Sequence, residues 1–398
     1  MLRFDILNSV LAQDTRSDGP GPTQFRLGMT QSSNASLDDL RQKIDKIDRE
    51  LIALINERAK QVVEVGKIKR DSSIPIYAPH REAAVLKKVT QLNEGPIQDR
   101  TIEAVYRELM SGSFALEQPL RIGYLGPIGT YSHLAATRQF GSSVEFENLR
   151  AIDGVFEEVA RGHVDYGLVP IENSTGGGIT ETLDAFMSYH DKLNIYGEVQ
   201  LEVHFSLLAN CKPEQVKRIY SKSEALLQCR NWLSTQYPQA EKIPAESTAA
   251  AAERAKDDNR NDPSVGSAAI GSVLAGEIYG LHPLFDRIED RTSNITRFLI
   301  LSKSETEVSE DDKTSIMFTT DDRPGSLVDV LNVFKRSNVN LSHIDKRPSQ
   351  AVNWDYTFFV DASGHRKDSG FAEVLGEARA HCKVLTVLGS YPRCKRTL

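Results

Sequence analysis

From Leu37 onward, apolar residues fall at positions 37, 40, 44, 47, 51, 54, 55, 62, 65 and 68. Steps of three and four predict one unbroken helix of more than thirty residues, a rod of roughly 50 Å at 1.5 Å per residue. Asn34 or Ser36 can cap it, with Asp38 and Asp39 favourable in its first turn. Pro75 and Pro79 mark its end and the turn that follows, and shorter helices are predicted over about 80–92 and 98–117. A rod with two short companions cannot bury its apolar stripe alone. A homodimer or higher homo-oligomer is the simple way to cover it.

At Leu120 the pattern changes. Short apolar runs at 121–125, 166–171, 201–209, 217–221 and 298–302 alternate with helical stretches at 131–140, 152–161, 178–188, 223–235, 247–256 and 267–276. That order predicts an α/β domain with parallel strands. Lys303 to Lys313 reads as a charged linker. Beyond it come a strand (Ser315–Thr319), a turn (Asp321–Gly325), a helix (326–337), strands at 339–346 and Asp355–Asp361, a helix (371–381) and a strand (383–389). This βαββαβ order predicts a ferredoxin-like α+β domain. A chain of 398 residues accommodates two or three such domains. The expected division is an N-terminal extension (1–34), an all-helical domain (35–118), an α/β domain (119–302), a linker (303–313) and a small βαββαβ domain (314–398). Residues 13–35, rich in Gly, Pro, Ser, Thr, Gln and Asn, predict disorder, and Met29 is an alternative start.

The formal charge of −7 is spread without a basic run, which argues against nucleic acid as a partner. No apolar run reaches the ~18 residues of a membrane span. Met1 to Ala12, interrupted by Asp5 and Asn8, does not read as a signal peptide. Cys211, Cys229, Cys382 and Cys394 lack C-x-x-C spacing and read as reduced thiols of a cytoplasmic protein, with no metal site.

Arg58 interrupts the apolar seam of the long helix seven residues after Leu51, and Lys69 follows 11 residues later on the same face. A buried cation needs a partner. Arg81 and Glu82 open the second helix, while Ser113 and Glu117 stand four apart on the third. A solvated charged face with snorkelling stems accounts for the same spacing. Leu40-Arg41, Glu57-Arg58, Val63-Glu-Val-Gly-Lys-Ile-Lys69, Arg81-Glu82 and Ser113 through Glu117 resemble the all-helical chorismate mutases. The resemblance implies that Arg41 (from a partner chain) and Arg58 clamp the two carboxylates of chorismate, with Arg81 alongside. It implies that Lys69 and Glu117 face the ether oxygen and that Glu82 and Ser113 hold the hydroxyl and a carboxylate. It departs from the family at Ala78, where many relatives carry an Asp that binds the hydroxyl. An ionised Glu117 cannot donate to an ether oxygen, so mutase activity is expected to fall as pH rises. Glu117→Gln should flatten that profile, and an unchanged profile would contradict the role.

Several short polar runs sit at predicted strand ends and helix starts, where free backbone N–H groups attract anions. They are Gly126-Pro-Ile-Gly-Thr-Tyr-Ser-His-Leu-Ala-Ala136, Val169-Pro-Ile-Glu-Asn-Ser174, Tyr220-Ser221 with Gln228, Glu246-Ser-Thr-Ala-Ala250 and Asp290-Arg-Thr-Ser-Asn-Ile-Thr-Arg-Phe298. Taken singly, each also reads as a helix cap. Together they resemble the prephenate dehydratases over about 120–302, which implies two lobes flanking a cleft, like bacterial periplasmic binding proteins. The resemblance implies Thr296 as proton donor, Arg297 for charge and Phe298 against the substrate ring. Thr130, Tyr131, Ser132, Asn173, Ser174, Ser221, Gln228, Ser247 and Thr248 would bind or orient prephenate, and Glu172 is an alternative acid.

Asp322-Arg-Pro-Gly-Ser-Leu327 and Ile344-Asp-Lys-Arg-Pro-Ser349 resemble the ACT regulatory domains of these enzymes, although the first is also an ordinary turn. The resemblance implies L-phenylalanine as effector, held by Pro324, Gly325, Ser326, Leu327, Asp345, Arg347 and Pro348. Lys346 departs from the usual Glu-Ser-Arg-Pro. The whole implies a bifunctional enzyme of phenylalanine biosynthesis that needs neither metal nor organic cofactor. Rival readings are an arogenate dehydratase with attached mutase, a non-catalytic amino-acid sensor, and a mutase module kept as a dimerisation arm.

Overall fold

The computed structural model describes residues 36–72, 74–348 and 356–398. The expected disorder of residues 1–34 lies outside them, as does Ser349. The long amphipathic period folds into one helix, α1 (Leu37–Asp71). Ser36 caps it, its Oγ accepting from Asp39 N at 3.1 Å while Asp39 accepts in return from Ser36 N. In the stretch before Leu54, Leu37, Leu40, Ile44, Ile47, Leu51 and Leu54 lie 47% to 68% exposed. Among the described residues this apolar face is exposed.

The remainder, Ile55 to Leu398, forms one unit. Helices α2 (Pro79–Gln91) and α3 (Asp99–Glu117) pack beside the end of α1. Pro79 occupies the first turn of α2, where its missing N–H costs nothing. At Gly66 a Cβ would come within 2.9 Å of Glu117 Cγ, so this glycine permits the close approach of α1 and α3.

Two lobes follow. The first carries β1 (Arg121–Leu125), α4 (Tyr131–Phe140), β2 (Glu145–Leu149), α5 (Ile152–Arg161), β3 (Tyr166–Asn173), β4 (Gly177–Gly178), α6 (Thr180–Tyr189) and β5 (Asn194–Glu202). The second carries β6 (Ser206–Ala209), β7 (Arg218–Ser221), α7 (Ser223–Gln228), α8 (Arg230–Gln236), β8 (Glu241–Pro244), α9 (Thr248–Asn261), β9 (Ser267–Gly271), α10 (Val273–Tyr279) and β10 (His282–Phe285). Strand β11 (Ile295–Ser302) then returns to the first sheet, giving orders β2-β1-β3-β11-β5 and β10-β6-β9-β7-β8. Each lobe has its own apolar core.

Four expectations are corrected. The sheets are mixed, not parallel, because β11 re-enters the first lobe from the second and runs antiparallel to both β3 and β5. The apolar run 201–209 is two strands, broken where the chain passes between lobes. The stretch 267–276 is strand β9 followed by α10, with Ser272 capping the helix by accepting from Ala275 N at 3.1 Å. The helix expected at 223–235 is two, interrupted at Cys229.

The last domain contains β12 (Asp312–Thr319), α11 (Ser326–Arg336), β13 (Leu341–Pro348), β14 (Tyr356–Ser363), α12 (Ser369–Arg379) and β15 (Val384–Pro392). Its antiparallel sheet has the order β13-β14-β12-β15, the ferredoxin-like arrangement. Asp312 and Lys313, expected in the linker, are buried members of β12.

Candidate active sites

The first site is a cavity of about 680 Å³ lined by Arg58, Lys69, Ala78, Arg81, Glu82, Ser113 and Glu117. Arg58 Nη1 donates to Ser113 Oγ at 2.9 Å, and that hydroxyl donates to Leu109 O at 2.7 Å. Lys69 Nζ donates to Glu117 Oε2 at 2.9 Å and to Ile76 O at 3.0 Å. Arg58 and Lys69 therefore turn inward onto partners, while Arg81 stays exposed at the rim. Of the seven residues assigned to this site, the six within Ile55 to Leu398 line one concavity rich in donors. Arg41 stands on the exposed early part of α1 and pairs at 3.5 Å with Asp38. Burial raises the Glu82 carboxyl to about 7, against the opposing effects of the Tyr77 hydroxyl, Arg107 and Gln139.

The second site lies where β3 and β11 pair, with Asn173 opposite Thr296 and Glu172 opposite Arg297. Asn173 Oδ1 accepts from Thr175 N (3.0 Å), Thr175 Oγ1 (2.6 Å) and Gly176 N (2.9 Å). Its amide nitrogen therefore points the other way and donates to Thr296 Oγ1 at 2.8 Å. With its oxygen accepting, Thr296 keeps its own proton free to donate. From the second lobe, Gln228 Nε2 donates to Thr175 Oγ1 at 2.7 Å. Asn294 Nδ2 donates to Gln228 Oε1 at 2.8 Å, and Asn173 Nδ2 donates to Asn294 Oδ1 at 2.8 Å. This closes a network across the lobes. Thr175 and Asn294 had been given no role, although Asn294 lies within a run singled out for its polar groups.

Most of the other expected residues have partners within the fold. Thr130 caps α4, accepting from His133 N at 3.3 Å, and Ser247 caps α9, accepting from Ala250 N at 3.0 Å. Tyr131 donates to His204 O at 2.6 Å, and Ser174 donates to Ser293 O at 3.1 Å. Ser132 and Thr248 are buried, and the Ser221 hydroxyl, also buried, is spent on Ile270 O at 2.8 Å.

Phe298, expected against the substrate ring, packs in the first-lobe core beside Ile300 because its side of β11 faces that core. Arg297, expected to meet substrate charge, is buried. It pairs with Glu198 at 2.7 Å, Asp361 at 2.6 Å and Glu172 at 3.3 Å, and donates to Tyr391 Oη at 3.0 Å. Lys313 Nζ joins Glu198 at 2.9 Å. The guanidinium thus ties β11 to the C-terminal domain. A hydrogen bond from His343, with the Arg297 charge, holds the Glu172 carboxyl down to about 2.

The residues expected to hold an effector divide between two places. Gly325, in the left-handed region at φ 89°, Ser326 and Leu327 line a cavity of about 210 Å³ with Asp322, Arg323, Tyr356 and Phe358. Pro324 precedes them and is exposed. On β13, residues two apart share a face, and His343, Asp345 and Arg347 turn theirs to the dehydratase lobe. His343 meets Glu172 at 3.0 Å, Arg347 forks onto Asp184 at 2.5–2.7 Å, and Asp345 lies where a side chain at Gly178 would begin. Pro348 ends the strand.

Comparison with known proteins adds the following. A chorismate mutase type II family model matches residues 40–118, a prephenate dehydratase model matches 122–306 and an ACT domain model matches 314–379. The bifunctional chorismate mutase/prephenate dehydratase of Stutzerimonas stutzeri is 43% identical over 361 residues, covering 89% of this chain and 97% of that protein. Its Pseudomonas aeruginosa and Escherichia coli K12 counterparts are 42% and 32% identical, over 89% of this chain and 97% and 95% of theirs. Among solved structures, prephenate dehydratase of Arthrobacter aurescens in complex with L-Phe superposes with a TM-score of 0.63 at 32% identity, covering 69% of this chain and 90% of that one. The Staphylococcus aureus prephenate dehydratase gives 0.59 at 29% identity, covering 68% and 100%. An inward-facing cation set in a helical cavity, a threonine with a free proton between two lobes, and relatives alike over nearly their whole length agree: this chain belongs to the bifunctional chorismate mutase/prephenate dehydratase family.

Proposed function

We infer that the helical cavity rearranges chorismate to prephenate and that the β3/β11 site converts prephenate to phenylpyruvate. The relatives' names favour prephenate over arogenate as the second substrate. For the rearrangement, Arg58 and Arg81 hold the substrate carboxylates, with Arg41 of a second copy completing the clamp. Lys69 meets the charge that grows on the ether oxygen as its C–O bond breaks and the new C–C bond forms. The chain needs no covalent group here, because restricting a flexible dianion to one compact shape and presenting fixed donors lowers the barrier.

In the second reaction the ring C–C bond to the carboxylate breaks, carbon dioxide leaves, and the released electron pair aromatises the ring as the C–O bond opens. The departing oxygen leaves as water after receiving the Thr296 proton. The observation that carries this role is Asn173 donating to Thr296 Oγ1, which aims the threonine as a donor. Thr296→Ala is expected to lower phenylpyruvate formation at least 100-fold, as loss of a positioned proton donor does, while chorismate consumption stays within about twofold. A fully active variant would remove Thr296 from the mechanism.

The uncovered face of α1 supports a homodimer, and the cavity beside Gly325 supports L-phenylalanine as inhibitor. A cytoplasmic location is proposed from the unpaired cysteines. Among the described residues no helix is long and apolar enough to cross a membrane.

A further inference from the structure

The mutase cavity is not built from the helical domain alone. Tyr77, in the turn between α1 and α2, is 2% exposed and inserted among Phe114, Phe140, Tyr166 and Tyr196, the last three belonging to the dehydratase lobe. Tyr196 Oη donates to Tyr77 O at 2.9 Å. At the far end of α4 from Thr130, the two amide hydrogens of Gln139 are both committed. One goes to Glu82 Oε2 at 3.0 Å and the other to the Tyr77 hydroxyl at 3.1 Å. A carboxylate on the wall of an apolar pocket is free to turn unless something fixes it. A neutral donor can do so without cancelling its charge. Glu82 faces Tyr77 from the preceding turn, Arg107 from α3 and Gln139 from α4.

We propose that Gln139, a residue of the dehydratase lobe, is a positioning residue of the mutase: it orients the Glu82 carboxylate toward the substrate hydroxyl. The inference rests on the reading of Glu82 given above. It gives the mutase site of this chain a side chain from α4 of the dehydratase lobe.

Gln139 helps to hold down a carboxyl that burial has raised to about 7, so its removal raises that carboxyl further. If the ionised form accepts the substrate hydroxyl, Glu82 adds a rise of mutase activity with pH, opposed to the fall expected from Glu117, and loss of Gln139 moves that rise to higher pH. The test compares kcat/KM for chorismate across pH in the full-length protein and in Gln139→Leu, with prephenate turnover measured alongside. Expected are an about tenfold loss of mutase kcat/KM at neutral pH, the size of one hydrogen bond to a charged group, an acid limb shifted upward, and prephenate turnover within about twofold. Gln139→Glu, isosteric but placing a second carboxyl against Glu82, should lose more, and it keeps the test sound if the leucine variant loses both activities through misfolding. Wild-type mutase rates and pH profile in both variants overturn the inference. Glu82→Gln separates the layers: if it inactivates the mutase while the Gln139 variants are silent, the reading of Glu82 stands and Gln139 falls. If Glu82→Gln is itself silent, both fall.

Discussion

Thr296 and Arg297 are neighbours in sequence and point to different tasks. Thr296 accepts from Asn173 and keeps a proton to give, whereas Arg297 is spent on the buried Glu198, Asp361 and Tyr391 and on the half-buried Glu172. Nothing in the linear run separates them. Which side chain faces the cleft depends on the irregular pairing between Arg297 and Phe298, a property of the β3/β11 register. For the same reason Phe298 was expected at the substrate and lies in the core. Breaking the arginine network leaves Glu198 and Asp361 with Lys313 as their remaining cation. Arg297→Met is therefore expected to cost about 3–5 kcal/mol of stability. Chemical denaturation checks this, and an unchanged midpoint would show that the network contributes little.

At the scale of elements, the helices were the most legible part, since a period near 3.6 sustained over α1, α2 and α3 has no competing explanation. Strands fared worse. β2 (Glu145–Leu149) carries two glutamates and an asparagine at a sheet edge, so it offers no apolar run to find. The two-residue period of β13 did contain the needed information: His343, Asp345 and Arg347 had to share a face, and that face meets the dehydratase lobe. The His343–Glu172 contact gives this docking a pH dependence. Hydrogen bonding to Glu172 raises His343 above its ordinary 6.5, so this stabilisation is complete below 6.5 and is lost as pH rises through the higher folded value. Glu172, held at about 2 instead of 4.5, contributes above 4.5 and loses its contribution as pH falls toward 2. Docking is thus strongest between about pH 4.5 and 6.5. Calorimetry from pH 6 to 8.5 should show Tm falling in the parent and a flatter profile in His343→Leu; parallel slopes would remove His343 from the account.

At the scale of the whole molecule, the end of the helical module, the dehydratase lobes and the C-terminal domain share one unit, Ile55 to Leu398. Tyr77 and Gln139 join mutase to dehydratase, while Arg297 and Arg347 join dehydratase to the regulatory domain. Domain order was legible because each module has its own periodicity. The seams were not, because they are made of single polar residues that look like ordinary surface positions in the sequence.

The central claim is that one chain carries both active sites and an inhibitory one. Its most direct test follows chorismate and phenylpyruvate together in a single reaction with purified full-length protein, with and without L-phenylalanine. The account predicts chorismate loss, transient prephenate, phenylpyruvate formation, and slowing of that last step by L-phenylalanine. Persistence of both chorismate and added prephenate would contradict it.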